Sequence, residues 1–227
     1  MSVKAVVFDV NGTLSDMSPI AGAFQFVGAP PTLAETWFAG VLRDGFALST
    51  LGESSPFAEI ARTHLTAVLS SAILPHSIDK AISTILERLA TLPLHPDVAE
   101  GVRSLTGAGL EVMTLSNGSP DLATKLLSDA GLRDAFSHIL SVEGTAPWKP
   151  ADAAYALASS ASGFAPHELL LVAVHPWDIL GAHHAGLRTA WINRSNETYP
   201  TYFTPPDLSA PSIVELAKIL HSEASGK

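Results

Sequence analysis

Val3 to Phe8 is an apolar run that ends in Asp9, and Val10-Asn11-Gly12-Thr13-Leu14 follows at once. An apolar run of this length with β-branched residues reads as a buried strand, and the glycine behind it lets the chain turn sharply. A carboxylate at the carboxyl end of a strand stands where open α/β sheets bind their ligands, so Asp9 is a candidate nucleophile; it also suits a turn or a helix cap. Three further segments carry chemistry at comparable places: Ser116-Asn117-Gly118-Ser119, Trp148-Lys149-Pro150 and His175-Pro176-Trp177-Asp178. Each also has an ordinary use. Ser116, Asn117 and Asp178 fit helix caps, Lys149 fits a solvated lysine, and His175 and the pair His183-His184 fit exposed or internally satisfied histidines. What points to a site is that all of these segments fall at strand ends. The chain contains no cysteine, which excludes disulfides, thiolate catalysis and cysteine metal sites together. Any chemistry is built from carboxylates, His, Lys, Ser and Thr, and no His/carboxylate spacing resembles a zinc site, so no metal and no cofactor is assigned.

These segments need a frame to bring them together. At 227 residues and 47% hydrophobic the chain can bury a full core of one or two domains. After the first strand, roughly Ser15 to Thr91, helical periodicity dominates: Thr32–Leu48, Pro56–Leu69 and Ser77–Leu92 carry apolar residues three and four apart, which predicts an insert of three or four helices. From Pro96 onward helix and strand alternate. Helices are expected at Asp97–Thr106, from Ser119-Pro120-Asp121, near Ala151–Ser160, at Ile179–Ala185 and at Ser212–Ser222. Strands are expected at Leu110–Leu115, near Ser137–Val142, at Leu169–Val174 and at Arg188–Ile192. That alternation predicts an α/β fold, a Rossmann-like doubly wound parallel sheet, with a small all-helical cap inserted after the first strand and lying over the sheet's carboxyl edge. The expected division is a core of residues 1–15 and 93–227 and a cap of residues 16–92.

A formal net charge of −9 and a pI near 5.4 argue against nucleic acid and anionic membranes as partners, while leaving room for a local positive pocket for a small anion. The apolar start lacks a basic leader, and the longest apolar run, Leu169 to Val174, is far too short to span a bilayer, so a cytoplasmic protein is expected.

Taken together, the motifs resemble the haloacid dehalogenase superfamily and, within it, the type II (L-2-haloacid) dehalogenases. The residues that carry this are Phe8-Asp9-Val10-Asn11-Gly12-Thr13-Leu14, Leu115-Ser116-Asn117-Gly118-Ser119-Pro120, Trp148-Lys149-Pro150, Trp177-Asp178 with Gly181-Ala182, and Trp191-Ile192-Asn193-Arg194, in the family's order. The resemblance implies that Asp9 attacks C2 of a short 2-haloacid, expels halide with inversion and forms an ester that water then hydrolyses. It implies that Lys149 keeps Asp9 ionised and that Asp178 holds Lys149 and activates the water. Thr13, Ser116 and Asn117 would fix the carboxylates of Asp9 and substrate, and Leu42, Phe57 and Trp177 would wall the substrate tail. Val10, Asn11, Arg43 and His175 complete the expected substrate contacts. A homodimer is expected by family analogy.

The chain also departs from the family. Asn11 stands where members carry Tyr, and Ala173 and His175 stand where they carry Ser and Asn. Trp37 is followed by Phe38 where members have the arginine that receives halide, so Arg43, or Asn11 with His175, is the candidate substitute. The rival readings are a phosphatase or other hydrolase of the same superfamily, which would need a second Asp at Asn11 and more Mg²⁺ carboxylates than Asp178, and a non-catalytic relative.

Overall fold

The first apolar run folds as strand β1 (Ala5–Phe8), buried throughout, with Ala5 and Val7 packing on one face of a sheet and Val6 and Phe8 on the other. This two-sided burial explains why the run shows no polar alternation, as is usual where helices cover both faces of a parallel sheet. The computed structural model describes residues 3–145 and 147–224.

Four helices follow β1: α1 (Pro19–Phe26), α2 (Leu33–Thr50), α3 (Phe57–Leu69) and α4 (Ile78–Leu89). The chain leaves for them at Ser15 and returns at Leu94. The two passing strands are tied there by an antiparallel bridge and by Asp16 N–H to the Pro93 carbonyl (2.8 Å) and His95 N–H to the Leu14 carbonyl (2.9 Å). Then come α5 (Val98–Gly107), β2 (Glu111–Ser116), α6 (Pro120–Asp129), β3 (His138–Ser141), α7 (Asp152–Ser162), β4 (Leu169–Ala173), α8 (Pro176–His184), β5 (Arg188–Ile192), β6 (Leu208–Ala210) and α9 (Ile213–Ala224).

The six strands form one parallel sheet in the order β3-β2-β1-β4-β5-β6. One face is covered by α5, α6 and α9, the other by α7 and α8 in a core continuous with the buried side chains of α1 to α4. β1 is the central switch: the chain builds β2 and β3 to one side and β4 to β6 to the other, which opens a crevice at the carboxyl end of β1 where ligands bind in such sheets.

The expected elements form within a few residues of their predicted limits, with three differences. Helix α1, two turns long, falls outside the three periodic segments and makes the insert one of four helices. β6, a three-residue edge strand, is too short to show as a pattern. Helix α8 begins at Pro176, not at Ile179, because Pro fits a first helical turn whose N–H needs no partner; His175 is its N-cap residue and Asp178 lies inside its first turn. Among the described residues no helix is long and apolar enough to cross a membrane.

Candidate active site

Phe8 pairs with Thr114 of β2 and Val172 of β4, so the next residue, Asp9, emerges between two neighbouring strand ends. Its N–H still bonds the Val172 carbonyl (3.0 Å). The chain then folds back in a tight loop in which the Val10 carbonyl accepts from the N–H groups of Leu14 (2.9 Å) and Ser15 (3.0 Å). Gly12 has φ +82°, a left-handed conformation that side chains disfavour. The loop brings Thr13 back over the carboxylate it follows: Thr13 Oγ1 donates to Asp9 Oδ2 (2.7 Å) and accepts from Val174 N–H (3.1 Å).

Lys149 reaches the same carboxylate from the loop between β3 and α7. Its Nζ lies 3.0 Å from Asp9 Oδ1 and 2.6 Å from Asp178 Oδ2, and all three side chains are essentially sealed from solvent. Asn117 holds the loop in place, with its Oδ1 accepting from Lys149 N–H (2.8 Å) and its Nδ2 donating to the Lys149 carbonyl (3.1 Å). The Asn117 amide thereby clamps both backbone groups of the lysine and keeps its second Nδ2 hydrogen to donate. Ser116 Oγ accepts from Gly118 N–H (2.9 Å) and keeps its own hydroxyl hydrogen to donate.

Asp178 does not cap its helix. It turns into the core, where Tyr155 Oη of α7 donates its one hydrogen to Oδ1 (2.7 Å) and lies 3.1 Å from its carbonyl. Gly181 permits this arrangement, since a Cβ there would come within 2.5 Å of Tyr155 Oη and 2.6 Å of Pro150 Cβ. Sequence reasoning missed Tyr155. The available signal was a lone tyrosine in an alanine-rich helix just after Lys149, whose hydroxyl needs a partner once its ring is buried.

Two carboxylates therefore share one ammonium, and their ionisations separate. Burial works against charge on Asp9, but Lys149, His175 and the Thr13 hydroxyl together hold its carboxyl below the usual aspartate value. Asp178 is shifted upward: burial dominates, Lys149 opposes it, and the charge of Asp9 adds to the rise. Although Lys149 sits closer to Asp178, the opposite directions are what two like charges around one cation produce. Burial disfavours charge on Lys149, yet Asp178 and Asp9 keep its pKa raised, so it remains an ammonium. Burial and then Asp178 push the Tyr155 phenol far up, so it stays a donor. The donor set does not fit a metal between these carboxylates, because Lys149 Nζ already fills that place and bonds both. Among the described residues no group of three or more His, Asp or Glu side chains is arranged to hold an ion.

Around the charged centre the walls are aromatic. The Trp177 ring lies 5.9 Å from Lys149 Nζ, stacks on His175 (5.2 Å, 16° between planes) and takes the edge of Phe46 at 5.0 Å. Phe38 approaches His175 at 6.3 Å, and Phe57 stacks on Trp148 at 5.9 Å. Leu42 is half-buried against the same core. A cavity of about 30 Å³, room for one water, lies among Val10, Asn11, Ser116, Gly118 and Phe57.

Arg43 is not brought to this centre. Trp37, Val41 and Gly45 form the buried stripe of α2, and Phe38, Leu42 and Phe46 lie beside it toward the site. Arg43 falls beyond both, its side chain 71% exposed and paired with Asp44 at 2.8 Å. The expectation that it contacts substrate is corrected accordingly: one helical step of about 100° past Leu42 turns it into solvent.

The family model of haloacid dehalogenase-like hydrolases matches residues 3–186. The chain is similar to an (S)-2-haloacid dehalogenase of Pseudomonas sp. (strain YL), 29% identical over 99% of this chain and 97% of the relative. It is similar also to haloacetate dehalogenase H-2 of Moraxella sp. (strain B), 28% identical over 92% of this chain and 94% of the relative. Its fold matches the structure of an L-2-haloacid dehalogenase from Xanthobacter autotrophicus with chloropropionic acid covalently bound, with a TM-score of 0.86, 26% identity and coverage of 96% of this chain and 98% of that one.

Proposed function

The chain belongs to the haloacid dehalogenase-like hydrolase family, and we propose that it hydrolyses short 2-haloacids to 2-hydroxyacids through an ester on Asp9. The observation that carries this is the shared ammonium. Lys149 holds Asp9 Oδ1 and the Thr13 hydroxyl orients Oδ2, so the carboxylate stays ionised and Oδ2, the oxygen not paired with the ammonium, attacks C2. In-line displacement expels halide on the side of C2 opposite Oδ2 and inverts that carbon. The C2–halogen pair leaves with the halide, and a carboxylate pair becomes the new C–O bond.

In the second step water attacks Cγ of Asp9. Asp178, whose raised pKa suits it to accept a proton, takes one from the water, and the charge that develops on Oδ1 faces Lys149 Nζ. Ser116 and the backbone donors around it hold the substrate carboxylate. With Phe38 in place of an arginine and Arg43 in solvent, the Asn11 amide beside Gly118 is a side-chain donor available to meet the halide. A halide in an apolar pocket needs such a donor. Residues 16–92 act as the cap, whose aromatic side chains exclude water from the first step. A superfamily phosphatase would need a leaving-group acid where this chain has Asn11.

The test is metal-free incubation with (S)-2-chloropropionate, following halide and 2-hydroxyacid separately. The reading expects both in equal amounts. Phosphate release from a phosphomonoester in the presence of Mg²⁺, with no halide release from any short 2-haloacid, would contradict it.

A further inference from the structure

Hydrolysis of the Asp9 ester creates a second leaving group, the 2-hydroxyacid oxygen, which was Asp9 Oδ2 before the first step. It departs as an alkoxide unless it receives a proton. Asp178 and Lys149 stand on the Oδ1 side of the carboxylate, so the group that serves Oδ2 must come from elsewhere. Thr13 is adjacent, but a hydroxyl is a poor acid.

His175 is the remaining candidate. Its Nε2 donates to the Asn11 carbonyl (2.9 Å), which fixes a hydrogen on that nitrogen, and it lies 3.7 Å from Asp9 Oδ2. Nδ1 has no hydrogen bond within the described residues, and the side chain is 21% exposed. The ring stacks on Trp177 and is approached by Phe38. His175 also lines a pocket of about 370 Å³ open to solvent, with His95, Asn193, Arg194 and Glu197 on its walls. It thus stands between bulk water and the sealed carboxylate, with Asp9 and Lys149 as the charges on its inner side. As a group next to the attacking oxygen, it lies on the near side of C2, whereas in-line displacement puts the halide on the far side.

We propose that His175 is the proton donor to the departing 2-hydroxyacid oxygen in hydrolysis of the Asp9 ester. This rests on the ester mechanism above. Water adds to Cγ as one of its protons passes to Asp178. The Cγ–Oδ2 bond breaks with its electron pair going to Oδ2, and the imidazolium turns its Nε2–H from the Asn11 carbonyl toward Oδ2 and delivers that proton there. The new Asp9 carboxylic acid returns its proton to the imidazole, Asp178 releases the other to water, and the turnover ends with hydroxyacid, halide and one proton.

The test is rapid-quench analysis of wild type, His175→Gln and His175→Ala with (S)-2-chloropropionate, measuring halide, hydroxyacid and protein mass. Gln keeps an N–H for the Asn11 carbonyl but has no proton to give. The expected result is a burst of one halide per site at close to the wild-type rate, then hydroxyacid release slowed by about 100-fold, the scale of a lost general acid. The mass of the ester should appear on Asp9, and added imidazole should speed hydroxyacid release in His175→Ala. The burst itself counts folded sites. Wild-type hydroxyacid release in His175→Gln with no ester overturns the proposal, and so does a slowed burst, which would move His175 to the first step. Absence of halide from the wild type would instead overturn the ester mechanism on which the proposal stands.

Discussion

Replacing Lys149 by Met removes the one cation that two buried carboxylates share while roughly keeping the volume of the side chain. The ammonium makes a 3.0 Å bond to Asp9 and a 2.6 Å bond to Asp178, and no part of it reaches solvent. Deleting one partner of a buried ion pair costs about 3–5 kcal/mol, because the charge left behind is uncompensated. Against a typical total of about 5–15 kcal/mol, that is a large fraction of the stability of the fold. The loss depends on pH with a definite sign. Without Lys149 both carboxylates have folded pKa values above their unfolded ones, so the deficit is greatest at neutral pH and shrinks as acid protonates them. Lys149→Met/Asp178→Asn, which removes a charge of each sign, should recover much of the loss. Equilibrium urea unfolding at pH 7.5 and pH 5 without substrate measures all of this. A single variant that loses less than about 1 kcal/mol at pH 7.5, or a double variant as costly as the sum of the two singles, would refute the shared-ammonium account.

Other consequences follow from the same geometry. Asp9 is held below the ordinary aspartate value and Asp178 above it, so on acidification hydroxyacid release should fail before the halide burst does; a pH series by rapid quench in which both steps fail together contradicts this. Tyr155→Phe removes the donor to Asp178 Oδ1, worth about 1.5–3 kcal/mol for a bond to a charged group, and should slow hydroxyacid release about 10- to 100-fold and move its acid limb to higher pH. Arg43→Ala should leave steady-state halide release within about twofold, because exposed ion pairs contribute little. Treatment with EDTA should leave halide release unchanged, since Lys149 supplies the positive charge between the carboxylates.

Much of this site was legible because its parts fall at strand ends, and strand ends can be read from apolar runs. Asp9 and Asn117 sit at such ends, and Lys149 follows a further strand by a short loop, so the parallel order carries them to one edge whatever their neighbours. The direction in which a side chain points was harder to read. Asp178 has the sequence position of a helix cap, and only the start of α8 at Pro176 and the approach that Gly181 allows turn it toward Lys149. Arg43 failed as a candidate through helical phase: nearness to Trp37 along the chain does not say which face of α2 meets the core, and that face is set by packing against α3 and the sheet. Tyr155 left no motif because its role depends on a contact with a residue 23 positions away. Asn117 was identified as a site residue, but its use, clamping both backbone groups of Lys149, is a tertiary fact.

The covalent role of Asp9 can be tested directly by a single turnover in oxygen-18 water, with enzyme in excess over (S)-2-chloropropionate. If Oδ2 attacks C2 and water then attacks Cγ, the hydroxyl oxygen of the product comes from Asp9. The product should carry no label, and the peptide that contains Asp9 should gain one oxygen-18. Label in the product hydroxyl with none in that peptide would mean that water attacks C2 directly, and the account of Asp9 as nucleophile would be wrong.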